Sequence, residues 1–222
     1  MDWTALALSL RLSAATTLIL LPIGILLARW LAFRRFRARG FVEALIALPL
    51  VLPPTVLGYY MLVAMGMSSP LGQVWHWATG GTLAFSFAGL LVASIVFNLP
   101  FAVQPLQRAF DAVPANLREA AWVGGLSRWS TFLKVELPLA WPGLLTAIVL
   151  TFAHTLGEFG VVLMVGGSIP GETKTVAVAI YDRVQAFDDH GAGIMSLFLL
   201  VFSFATIGIV YLVGGRMVRE RD

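Results

Sequence analysis

Two ionisable side chains, His154 and Glu158, stand in a long apolar run that carries no other charge. On an unbroken helix their i, i+4 spacing puts them on one face, within pairing reach. An ionisable group inside an apolar span is costly, which makes it a functional candidate. For His154 and Glu158, with Gly157 and Gly160 beside them, the expected role is structural or gating. Other polar groups sit at breaks in apolar sequence: Thr55 after Pro53 and Pro54, Asn98 before Pro100, and Thr151 and Thr155. Such groups either line a polar path or hydrogen-bond their own helix or a neighbour. No Gly-x-x-x-x-Gly-Lys-Ser/Thr, His-Glu-x-x-His or Ser-x-x-Lys run is present, and there is no cysteine. No catalytic residue, thiolate metal site or phosphate-cradling loop is therefore expected.

A second constellation is polar and lies between apolar runs. It extends from Asp111 to Pro138 and contains Glu119-Ala120-Ala121, Gly124-Gly125, Ser127 and Val135-Glu136-Leu137-Pro138. Asn116 followed by Glu119 has the form of a capping box. Gly124-Gly125 can end that helix through a left-handed residue. Ser127 can cap a second helix, expected to stop near Pro138. Two short helices, sharply joined, form a projecting knob. Ala120 and Ala121 give it a shallow face that another protein can approach closely.

The elements that position these groups are membrane spans. Charged residues make up 12% of the 222 and hydrophobic ones 59%, whereas soluble domains carry about 25% charged residues. Apolar runs near or above the ~20 residues that cross a bilayer as a helix are expected at 9–28, 44–65, 83–106, 139–163 and 193–214. The polar loop covers 108–138, and 1–222 reads as one transmembrane domain. Pro49, Pro53 and Pro54 crowd the second run, so it is a broken or kinked helix, facing protein or a pore. Trp30, Trp75, Trp77, Trp129 and Trp141 fall near span ends, where indole rings anchor at the headgroups.

The formal charge of +3 is not a nucleic-acid signature, because the cations sit beside spans. Arg29, Arg34, Arg35, Arg37 and Arg39 follow the first span, Arg108 to Lys134 lie in the polar loop, and Arg216, Arg219 and Arg221 are C-terminal. The positive-inside tendency makes these segments cytoplasmic. The N-terminus is then outside and the C-terminus inside, which five spans satisfy. The first run, with basic residues mainly after it, suits a retained span rather than a cleaved signal. The tail after Gly215 is expected to be too short for a regulatory domain.

The knob resembles the EAA loop of ABC importer permeases: Glu119, Ala120, Ala121, Gly125, Val135, Leu137 and Pro138 match it in order and spacing. The resemblance implies an all-α, five-helix type I importer fold, with those residues coupling to an ATPase. It further implies a second permease copy (a homodimer), two ABC ATPase subunits holding ATP and Mg2+, and a periplasmic or extracellular oxyanion-binding protein. No cofactor is implied on this chain, which would sit in the bacterial inner membrane. The runs Leu48–Tyr59, Leu156–Gly160 and Ile169–Thr175 resemble the oxyanion branch, most closely the molybdate permeases. The Gly-Glu-Phe-Gly element is shared with sulfate permeases, so sulfate or thiosulfate remains the alternative to molybdate and tungstate; a passive membrane channel is the alternative of another class, and it would not need a projecting knob. Within the spans Pro53, Pro54, Thr55, Asn98, Thr151 and Thr155 are the expected path-lining residues. Glu158 is not expected to be a ligand, since a carboxylate repels a dianion.

Overall fold

The computed structural model describes residues 1–219, with side chains described as far as Gly208. Within these bounds every regular element is a helix. Arg221 and the side chains of Arg216 and Arg219, the expected cytoplasmic tail cluster, lie outside the described residues.

Helix α1 (Trp3–Phe33) starts well before the apolar run that announced it. Asp2 accepts a hydrogen bond from the Ala5 amide at 2.9 Å and caps it. Next come α2 (Arg39–Val51) and α3 (Pro54–Met65), bent by 109° at Leu52–Pro53. Pro53 and Pro54 both lack an amide donor, and Leu52, preceding proline, is driven to an extended ψ of 136°. Pro49 lies buried inside α2 without ending it. Helix α4 (Pro70–Thr79) is capped by Ser69 and closed by Gly80 in the left-handed region.

Helix α5 (Phe87–Asp111) runs through Pro100 and Pro105 and past the expected end of its span. The knob follows: α6 (Ala115–Val123), α7 (Arg128–Thr131), a π-turn (Phe132–Glu136) and α8 (Leu137–Leu139). Helix α9 (Trp141–Gly157) leaves it at a 71° bend. The stretch 139–163 is thus not one helix, because it breaks at Glu158–Phe159 and resumes as α10 (Gly160–Gly166). Helices α11 (Val176–Gln185) and α12 (Asp189–Arg219) complete the chain.

Trp3–Phe33, Phe87–Asp111 and Asp189–Gly208 are each long and apolar enough to cross a bilayer, and the two bent pairs raise the possible crossings to five. Contacts at the two ends set their relative directions. Arg11 lies over the Phe87 ring and Trp3 meets Phe198 edge-on, so α1, α5 and α12 begin at one end. At the other end Arg29 of α1 meets Glu136 of the knob. The segment from α2 to α4 must therefore carry the chain back across. Parallel α1 and α5 pack with antiparallel α9 around Ala28, Leu31, Leu106, Phe110 and Ala147, all buried. Leu18, Leu26, Val51 and Phe204 point outward, as lipid-facing residues do.

Close backbone approach holds α9 on α5. A Cβ added at Gly143 would lie 2.4 Å from the Ala109 Cβ and 2.7 Å from the Pro105 carbonyl oxygen. Small residues at such crossings let helices pack without a hydrophobic driving force. Gly143→Ala is expected to cost ~1–3 kcal/mol through overpacking. Gly40→Ala, where nothing lies within 4 Å, should be neutral by comparison. Thermal unfolding midpoints in detergent check this: equal midpoints for the two variants would refute the contact.

Candidate functional site: the knob and the polar core

Helix α6 does not open with the expected capping box. Pro114 is its N-cap residue at φ −60° and ψ 133°, and no side chain caps the first turn. Its extended ψ puts the first helical residue at Ala115, so Asn116 and Glu119 already lie within the helix. The other end is as expected. The Leu126 amide donates to the Ala121 carbonyl at 2.9 Å and the Gly125 amide to that of Trp122 at 3.0 Å. With Gly125 at φ 84° these bonds make a Schellman ending. Ser127 then caps α7, accepting from the Ser130 amide at 3.2 Å.

Glu119 and Ala120 are exposed on α6, with Ala121 half-buried behind them. At the bend Trp122, Leu126, Ser127 and Arg128 line a depression of about 300 Å³. Val123 is 90% exposed and Trp129 64%. Both are apolar side chains exposed on a polar segment of the chain.

Pro138 does not stop the second knob helix. The Leu137 amide donates to the Phe132 carbonyl, one residue further back than an α-helix allows, and the chain continues helically to Leu139. The π-turn thus shifts the bonding register just before a residue with no donor. Val135 and Leu137 are half-buried there, and Pro138 is exposed.

Between them lies Glu136, fully buried. Its Oε2 accepts from Arg29 Nε at 2.6 Å and its Oε1 from Arg118 Nε at 3.0 Å. The Arg118 guanidinium rests 3.6 Å above the Phe33 ring, and that of Arg29 lies 5.2 Å from the Phe132 centroid. Sequence reasoning overlooked Glu136 and treated Arg29 only as a topology charge. The available signal was a lone carboxylate flanked by Val135 and Leu137-Pro138.

In the helix core His154 and Glu158 do not pair. Helix α9 ends at Gly157, and Glu158 adopts an extended conformation, so helical i, i+4 geometry fails between them. Glu158 instead turns onto α10: its Oε1 accepts from the Val161 amide at 3.0 Å, and the carboxylate also meets the Phe159 and Gly160 amides. His154 bonds through Nδ1 to Asn98 Oδ1 at 3.0 Å and stacks on Phe101, ring centroids 4.0 Å apart. Thr155 donates to the Thr151 carbonyl of its own helix at 2.7 Å. The hydroxyl of Thr151 is buried without a protein partner, as are those of Ser13, Thr16 and Ser94.

Pro53, Pro54 and Thr55 are exposed in the single chain. Pro54 nevertheless packs on Gly160, where an added Cβ would lie 2.7 Å from the Pro54 Cβ. The break between α2 and α3 thereby meets the break between α9 and α10. Towards the knob, Glu43 Oε1 accepts from Arg39 Nε at 2.9 Å and Gln107 Nε2 at 2.7 Å, tying α2 to α5. Beside this tie lies a cleft of about 430 Å³, and another of about 490 Å³ follows along α9. Gln104 and Arg108 line both.

Residues 21–219 match the family described as "Binding-protein-dependent transport system inner membrane component". The chain belongs to that family. Among its relatives, the molybdenum transport system permease protein ModB of Azotobacter vinelandii is 50% identical over 210 residues, 95% of this chain and 93% of that protein. A probable sulfate transport system permease protein cysT of Chlorella vulgaris is 32% identical over 182 residues, 82% of this chain and 68% of that protein. In fold, the chain superposes on a bacterial ABC transporter involved in the import of the acidic polysaccharide alginate. The TM-score is 0.78 at 18% identity, over 96% of this chain and 78% of that one. A transport-system inner membrane component with the type I importer fold accounts for the broken apolar helices and the projecting knob together.

Capping of α10 by Glu158 has a measurable consequence. Glu158→Ala should cost ~1 kcal/mol, the usual worth of a capping side chain. It should also speed amide exchange over residues 160–166, while Glu158→Gln, which keeps an acceptor oxygen, should do less. Identical exchange in Glu158→Ala and the unaltered chain would refute the cap.

Proposed function

We propose that this chain is the molybdate-conducting membrane subunit of an ATP-driven importer, with tungstate as a second substrate. The observation that carries this reading is 50% identity, over nearly the full length of both chains, to a molybdenum transport permease. The lower likeness to a sulfate permease agrees with it. In this reading two copies of the chain pair through their membrane helices. The knob of each, presenting Glu119, Ala120, Ala121 and the Gly125 bend, sits in a cleft of one ATPase subunit. Val135, Leu137 and Pro138 form the root of the knob. ATP and Mg2+ are held by those ATPases, and this chain holds no cofactor and catalyses no reaction.

A loaded oxyanion-binding protein docks at the end where α1, α5 and α12 begin, outside the cell, and the knob end is cytoplasmic. ATP-driven closure of the ATPases draws the knobs together and opens the path outward, and hydrolysis reverses it. Pro53, Pro54, Thr55, Asn98, Thr151 and Thr155 belong to the path. His154, Gly157, Glu158 and Gly160 hold or gate it. Weak groups suit a conduit whose specificity lies in the binding protein, since a tight site slows release. Arg108, lining both clefts near the knob, is the cation that a departing dianion meets.

Two experiments test this. The permease, its ATPase and binding protein are reconstituted, and ATP-dependent uptake of labelled molybdate is measured. Uptake is expected to yield to excess tungstate and to ignore excess sulfate. Competition by sulfate would move the chain to the sulfate branch, and absence of any ATP-dependent anion uptake would overturn the importer reading. Separately, Glu119→Lys is expected to release the ATPase on purification or to uncouple it. Unchanged co-purification and uptake would overturn the docking assignment.

A further inference from the structure

The knob has little to hold it. Helix α6 carries Glu119, Ala120 and Ala121, yet none of its residues is buried. Its ends are covalent links through turns, and its contacts within the knob are with α7 and the π-turn. An element so shallowly seated transmits a displacement only where a directional interaction ties it to the membrane helices.

One such interaction is present. Arg118 leaves α6 and meets Glu136 Oε1, while Arg29 leaves α1 and meets Glu136 Oε2. A carboxylate accepting from two guanidinium groups, one per oxygen, is a strong directional junction. Glu136 is itself fully buried, with Arg118 and Arg29 only 18% and 32% exposed, so water cannot readily substitute for either partner. The stacking of Arg118 on Phe33 adds a second contact between α6 and α1. The π-turn orients the junction. One residue fewer in Phe132–Glu136 would rotate Glu136 by about 100° relative to the preceding helix.

From this we infer that Glu136 is a positioning residue that locks the knob to α1, so that a displacement of α6 is delivered directly to the first membrane helix. The inference rests on the reading of the knob as the ATPase-docking element, and it names the route by which that docking reaches the membrane. Glu136 touches no substrate in this role.

The test uses the full reconstituted complex with Glu136→Gln, Arg118→Gln and Arg118→Lys. Three quantities are read: ATPase retained on purification, ATP hydrolysed, and molybdate taken up per ATP. Glu136→Gln and Arg118→Gln are expected to keep the ATPase and its hydrolysis while uptake per ATP falls about tenfold, within the usual range of coupling energies. Arg118→Lys, whose ammonium lies one bond beyond the position of Nε and can still reach Glu136 Oε1, is expected to recover at least half of the coupling.

Unaltered uptake per ATP in both Gln variants would overturn the inference. So would equal loss in Arg118→Lys and Arg118→Gln, which would assign the effect to stacking alone. Loss of the ATPase from both Gln variants would make the junction an assembly contact and also overturn it. If the wild-type complex moves sulfate and not molybdate, the substrate reading fails by itself and the ratio is read with sulfate.

Discussion

An unpaired backbone amide or carbonyl in hydrocarbon costs several kcal/mol, so a chain that breaks its helices there must satisfy the broken ends from within. Much of this architecture answers that constraint. At the α9–α10 break the Glu158 carboxylate takes up amides of the new helix. At the α2–α3 break the responsibility falls on proline, which removes donors outright. The two breaks touch through Pro54 and Gly160, so irregular backbone is gathered at one place. Membrane proteins tolerate irregular backbone where it is buried in protein or lines a cavity.

The knob stands under different rules. Water can satisfy its backbone, so turn chemistry decides its shape, and this part was the most legible in the sequence. Gly125 and Ser127 announced the bend because only a left-handed glycine and a hydroxyl cap join two helices so tightly. The capping box at Asn116 was a false signal. Pro114 lies just upstream, and with its ψ at 133° the helix starts at Ala115.

Less was legible where a residue acts across the fold. Glu136 and Arg29 are 107 positions apart, and nothing local to either reports the other. The pairing of His154 with Glu158 failed for the opposite reason: periodicity assumes a continuous helix, and Gly157 ends it. The apolar runs placed the helices but not their ends. Capping by Asp2 and Ser86, outside the most apolar stretches, extends or trims them by several residues.

The π-turn bears on how the polar loop can vary. From its Ser127 cap to Leu139 the chain forms one helical path whose angular phase decides which side chains face inward. Side chains on that path can change while its phase is preserved. A change of length cannot be so absorbed, because one residue more or less turns Glu136 away from both arginines together. The fixed interval between the glycine and the Leu-Pro pair is then a statement about rotation rather than reach. Among divergent chains of this kind, substitutions should be common in 128–134 and insertions or deletions rare.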